Sequence, residues 1–179
     1  AVFIIYALTT VLGIVVYNLL DTEFYLSLFI ADAICTVFVF VFSLIFKNSS
    51  VYDPYWSVQP PVILTCFTVK VGVNPFTVCL LIAVWFWAIR LTANWAYCFK
   101  DLTHQDWRYT MLKEKTGKLY PFVNFTGIHL VPTIVVYFCI LPAVFAVEKS
   151  LSFNAFSFVF CALAVASATM QGIADIQMH

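Results

Sequence analysis

Charge is what this chain has least of. Nine Lys and Arg stand against nine Asp and Glu among 179 residues, 10% charged and formally balanced to zero. A globular domain carries about 25% charged residues, so a water-soluble fold is excluded. The balance also removes the basic surplus with which a protein grips nucleic acid through its phosphates, and no nucleic-acid partner is expected. Glycine-rich phosphate loops of the GxGxxG or P-loop kind are absent, which excludes those ready-made nucleotide sites. There is no CxxC: Cys35, Cys66, Cys79, Cys98, Cys139 and Cys161 lie scattered in or at the ends of apolar runs, so they read as reduced packing residues and not as a disulfide framework or metal site. No fixed-period repeat, low-complexity tract or linker divides the chain, and a single transmembrane domain over 1–179 is expected.

What is present is hydrocarbon. Hydrophobic residues make up 63% of the chain and mean hydropathy is +0.96. Too little polar surface remains to coat that mass, so the coat must be lipid. About 20 apolar residues cross a bilayer core, and on that ruler spans are expected near 1–20, 24–46, 76–98, 127–147 and 151–172. A sixth, near 60–73, opens at Pro60 and Pro61, closes at Gly72, Asn74 and Pro75, and covers only about 21 Å at 1.5 Å per residue. It reads as a tilted or partial crossing with Lys70 snorkelling to an interface. The expected fold is an all-α polytopic helical bundle of about six transmembrane helices. The first apolar run lacks a basic flank and a cleavage site, so it reads as a retained span rather than a signal peptide. The chain opens at Ala1 without an initiator Met, which reads as a removed N-terminal piece or a segment of a longer chain.

Lys100, Arg108, Lys113, Lys115 and Lys118 collect in the connection 99–122, which the positive-inside rule places in the cytoplasm. Counting spans puts the connection 47–59, the N-terminus and His179 on that same side, while the Asp21/Glu23 turn faces away. The sequons at Asn48 and Asn124 are expected to carry no glycan.

Several polar residues are out of place in oil. Asp53 lies in SSVYDPYWSVQPP (49–61) among Tyr52, Pro54, Tyr55 and Trp56. Lost solvation there raises a carboxyl's pKa and could leave a proton donor near neutrality; the other reading is a solvated turn acid or helix cap. Arg90 and Asn94 share a helical face with Trp87. An arginine inside a span costs at least about 2.5 kcal/mol against lipid, so it should face the bundle and meet Asp53, Asp106, Asp175 or a ligand. Asp106, Trp107 and Arg108 could clamp a phosphate-bearing cofactor, although their spacing favours an amphipathic helix anchored in headgroups. His129 opens a span beside Gly127 and Pro132 and reads as hydrogen-bonded structure. Gln171, Asp175 and His179 recur every four residues as a polar stripe, which suits a cofactor pocket or a plain cytoplasmic exit. Asp32, alone in its span, is either functional or paired with another helix.

Taken in order, SSVYDPYWSVQPP, WFWAIRLTANW (85–95), QDWRY (105–109), NFTGIHLVPT (124–133) and ADIQMH (174–179) resemble the steroid 5-alpha-reductase-like family, most closely its widespread branch of unknown function. The resemblance runs essentially the whole length of the chain. It implies a seven-helix membrane fold, NADPH (an NADP-type cofactor), and reduction of a carbon–carbon double bond conjugated to a carbonyl in a lipid or sterol-like substrate.

Residue by residue, Asp53 matches the family's acid, Arg90 the arginine of its aromatic-x-x-Arg motif, and Gln171 with Asp175 its cofactor contacts; Asn94 joins that cofactor group. Trp87 stands where characterised steroid reductases place a tyrosine three residues before the arginine. An indole donates a hydrogen bond but is no proton acid, so a steroid itself is not the expected substrate. The family's basic, Tyr- and Asn-bearing C-terminal segment would follow His179, and without it the dinucleotide site is half built and catalysis is not expected. The resemblance implies the endoplasmic reticulum. The alternative expectation is a non-catalytic structural or lipid-holding accessory subunit among other membrane subunits, in an organelle inner membrane.

Overall fold

The computed structural model describes residues 1–178, with helices α1 (Val2–Leu19), α2 (Phe24–Ile45), α3 (Tyr55–Val71), α4 (Pro75–Cys98), α5 (Trp107–Thr116), α6 (Tyr120–Val123), α7 (Val131–Glu148) and α8 (Ala155–Met178). Between α6 and α7 the chain stays helical through a π-helical segment, Asn124–Leu130. No strand occurs among the described residues. Helices α1, α2, α4 and α8 and the continuous stretch Trp107–Glu148 are long and apolar enough to cross a bilayer. Only 6% of the most apolar window of α8 is buried, and Phe3, Ile4, Phe156 and Phe160 lie open. Such surface is stable only against hydrocarbon. The protein is an all-α polytopic membrane protein.

Two departures from the sequence reading concern α3 and its flanks. The helix begins at Tyr55, not at Pro60, because Pro54 presets the backbone and the Tyr55 N–H closes a turn on the Tyr52 carbonyl at 2.8 Å. Pro60 and Pro61 therefore sit inside the helix rather than in its first turn. At 17 residues α3 extends about 26 Å at 1.5 Å per residue, the short end of a full crossing. The last helix likewise starts at Ala155 and runs to Met178, later than the expected 151–172, because Asn154 caps it: its Oδ1 accepts the Ser157 N–H at 3.0 Å.

Two compact units emerge. The first comprises Ala1–Tyr55 and Lys100–Tyr137. Its core holds a polar network, because with no water at depth a buried hydroxyl or carbonyl is costly unless it finds a protein partner. The Tyr52 hydroxyl donates to the His129 carbonyl at 2.8 Å and meets the Thr133 hydroxyl at 2.6 Å. Thr133 in turn bonds Thr36 at 2.7 Å. Tyr55 donates to Asp32 Oδ1 at 2.6 Å, which gives the intramembrane acid its neighbour on another element. Helices α1 and α2 approach closely at Gly13, where an added Cβ would lie 3.0 Å from Cys35 Sγ.

In the same unit the connections after α2 and before α5 are stitched together in sequence order. The Asn48 amide donates to the Leu102 and His104 carbonyls, the Ser49 N–H to Gln105 Oε1, and the Asp106 N–H to Ser50 Oγ, at 3.0–3.1 Å. The pairing places both connections together, as the span count requires. Asn48 and Asn124 are each 1% exposed, which leaves both sequon amides inaccessible in the folded chain.

The second unit comprises Trp56–Phe99 and the chain from Phe138 onward. Helices α4 and α8 pack side by side in parallel: Cys79 meets Cys161, and eleven residues on Arg90 meets Gln171. Each opens with an asparagine cap, Asn74 accepting from the Thr77 N–H and Asn154 from that of Ser157. Buried Ala83 and Ala168 and glycine at 172 let the two approach, since small residues admit close contact between membrane helices. Helix α3 joins α4 through Ser57 and Thr92 at 2.9 Å and through Trp85 Nε1 on Thr65 at 3.0 Å.

Candidate functional site

In the first unit the site centres on Asp53, at the turn that launches α3. The Tyr109 hydroxyl, in the first turn of α5, donates to Asp53 Oδ1. Burial of the carboxyl pushes its pKa up to about 7; the Tyr109 hydrogen bond and the Arg108 charge hold it back, and Asp106 raises it further. A carboxyl in that state exchanges a proton near neutrality. Because the phenol occupies Oδ1, the proton of the neutral form falls to Oδ2.

Asp106 and Arg108 satisfy each other. Asp106 caps α5 through the Arg108 N–H at 2.8 Å and pairs with its guanidinium at 2.9 Å, and the Arg108 hydrogen bond holds its carboxyl below the usual range. Trp107 is 70% exposed and no residue of α5 is buried. The Arg108 guanidinium is thus already paired with Asp106, and α5 lies open along its length.

In the second unit α4 and α8 bring Arg90, Gln171 and Asp175 together. Arg90 Nη1 donates to Asp175 Oδ2 at 2.6 Å and Nη2 to Gln171 Oε1 at 2.5 Å. Its Nε is buried without a partner among the described residues. Of the three carboxylates open to Arg90 from the sequence, Asp175 is the one it meets. Gly172 lies against the Arg90 stem: a Cβ there would sit in van der Waals contact with Arg90 Cγ at 3.4 Å. A hollow of about 500 Å³ runs between the two helices from Phe76 to Gln171, with Trp87, Leu80, Phe160 and Ala164 in its wall. Trp87 thus faces the same hollow whose end Gln171 closes. Asn94, one turn beyond Arg90, is half-buried on α4. His179 lies outside the described residues, so the polar stripe is seen only as Gln171 and Asp175.

A family model described as a protein of unknown function (DUF1295) matches residues 39–179. The chain belongs to this family. No curated protein and no solved structure matches it. Asp53, Trp87, Arg90, Asn94, Gln171 and Asp175 all fall within the DUF1295 match, as do Tyr109 and the π-helical segment; α1 and most of α2 precede it.

Two groups in this DUF1295 chain were not legible as a site. Tyr109 closes the QDWRY motif, yet its spacing gave no reason to set it against Asp53, 56 residues away. The other is the environment of His129. Its Nδ1 bonds the Asn124 carbonyl at 3.1 Å across the π-helical turn, and its ring lies 4.4 Å from that of Tyr52. It is fully buried, and among the described residues its Nε2 is without a partner, as is Asn124 Oδ1. The wide turn explains the arrangement: π-helical geometry sets residue 129 beneath the carbonyl of residue 124, one place further back than an α-helix would.

Proposed function

We propose that this chain forms the transmembrane part of a membrane reductase that draws on NADPH to reduce a carbon–carbon double bond conjugated to a carbonyl in a hydrophobic substrate. The observation that carries the reading is Asp53, a shielded carboxyl whose proton is exchangeable near neutrality and whose Oδ1 is held by Tyr109. NADPH, when bound, supplies hydride to the double bond. The protein's task is then to stabilise charge developing on the carbonyl oxygen, and a proton on Asp53 Oδ2 is suited to that. Tyr109 fixes the carboxyl's orientation, and burial partly shields it from water.

The Arg90 cluster fits one half of such a cofactor. Gln171, which Arg90 holds together with Asp175, reaches the wall of a hollow within the roughly 300–1,000 Å³ of small-molecule sites. These groups suit the amide and ribose of the nicotinamide end. Among the described residues of the cluster, the Arg90 cation is matched by Asp175, so the phosphates would draw their charge from elsewhere. Trp87 can donate a hydrogen bond to a bound polar group. The same ion pair, closed within its own unit, favours a second reading as an accessory membrane subunit without catalysis.

One substitution tests the first reading. Asp53→Asn, in the full-length protein in lipid, is expected to abolish NADPH-dependent reduction of an enone lipid while helicity and melting stay near those of the parent chain. Undiminished turnover in that variant overturns the role. Absence of both turnover and any NADPH-induced thermal shift in the unmodified protein favours the accessory reading.

A further inference from the structure

Cys79 and Cys161 take no part in the chemistry above, yet they face one another. The Cys161 thiol donates to the carbonyl oxygen of Cys79 at 3.1 Å, and the Cys79 thiol donates to the Ser157 carbonyl, four residues before Cys161, at 3.7 Å. Both are partly accessible and line the hollow between α4 and α8 and a second one beside it. A disulfide needs Cα atoms within about 4.4–6.8 Å, closer than helices normally pack. The alanines at 83 and 168 and the glycine at 172 permit such an approach. Cys79 lies five residues and Cys161 seven residues past the caps of their helices, hence about 8 and 11 Å from the helix starts at 1.5 Å per residue. Those starts lie at the end of α4 opposite the basic connection, the non-cytoplasmic side by the positive-inside rule. Non-cytoplasmic compartments are commonly the oxidising ones.

We propose that Cys79 and Cys161 form a reversible disulfide that ties α4 to α8, with a small disulfide on the non-cytoplasmic side as oxidant. One thiol, deprotonated, attacks a sulfur of the small disulfide and expels one thiolate. The second cysteine then attacks the mixed disulfide and expels the other. In sum two protein thiols and one small disulfide give one protein disulfide and two small thiols, the two protons passing to the released thiolates. The bond fixes the register that keeps Arg90 against Gln171 and Asp175. It stands independently of the reductase reading.

The test equilibrates the full-length protein, in lipid nanodiscs, with mixtures of reduced and oxidised glutathione, followed by alkylation and peptide mapping. The expected result is a linked Cys79–Cys161 peptide whose share rises with the oxidised fraction and returns to zero on reduction, while Cys66, Cys98 and Cys139 yield only glutathione adducts. Cys79→Ala and Cys161→Ala should each abolish the link and leave the partner cysteine alkylated. If Cys79 and Cys161 stay alkylated, or carry only separate glutathione adducts in the most oxidising mixture, the proposal is overturned.

Discussion

Tyr109→Phe removes one oxygen atom and should move the proton on Asp53. In the parent chain burial pushes that carboxyl up to about 7 from 3.8, against the opposing pull of the Tyr109 hydroxyl and the Arg108 charge. A hydrogen bond to a charged group is worth about 1.5–3 kcal/mol, and each pKa unit corresponds to about 1.36 kcal/mol. Loss of the phenol should therefore raise Asp53 by about one to two units, with the lower figure favoured because the hydroxyl also bonds the neutral carboxyl. The linkage sign follows from a native pKa above the unfolded one: the native state holds the extra proton. Stability from this group is complete below the unfolded value of 3.8, falls as pH rises through about 7, and is flat beyond. In Tyr109→Phe the fall continues to higher pH. The infrared carbonyl band of a protonated carboxyl, followed against pH in lipid and assigned by its loss in Asp53→Asn, reads the shift directly. A midpoint that stays put, or moves down, would mean that Tyr109 does not hold the ionised form.

Other perturbations test the packing. Arg90→Met leaves the Asp175 carboxylate without its cation between α4 and α8. With side chains 16% and 28% exposed, the expected loss is about 1–3 kcal/mol after discounting for screening; Arg90→Met combined with Asp175→Leu should recover much of it in a double-mutant cycle read by denaturant unfolding. Gly13→Ala drives a methyl into Cys35 Sγ at 3.0 Å, a thiol also tied to the Thr9 carbonyl at 3.3 Å, and should cost about 1–3 kcal/mol by overpacking. Cys35→Ala in the same chain should restore stability, and a lack of coupling between the two would refute the close α1–α2 contact.

Much of the chain could be read from residue order. The spans follow from apolar length, and the placing of both connections on one side follows from lysine and arginine positions and a count of crossings. Arg90, Gln171 and Asp175 were legible as a group of misfits because each is costly in hydrocarbon and must find a partner. Helix ends were less legible. At Tyr55 a proline signal at position 54 overrode the double proline at 60 and 61, since a local turn on the Tyr52 carbonyl begins the helix before the composition says it should. Cys79 and Cys161 read as ordinary packing residues, because nothing in a scattered set of cysteines says which two will share a helix contact.

Composition alone determined that the chain is solvated by lipid and helical: hydrocarbon offers backbone groups no partner outside the segment itself, so long apolar runs have a single economical conformation. Which polar groups meet was decided only by tertiary structure. Asp53 on Tyr109, Arg90 on Asp175 and Cys79 on Cys161 depend on the register of helices whose apolar faces are nearly interchangeable in lipid, and that register is set by small residues, caps and close contacts far apart in sequence.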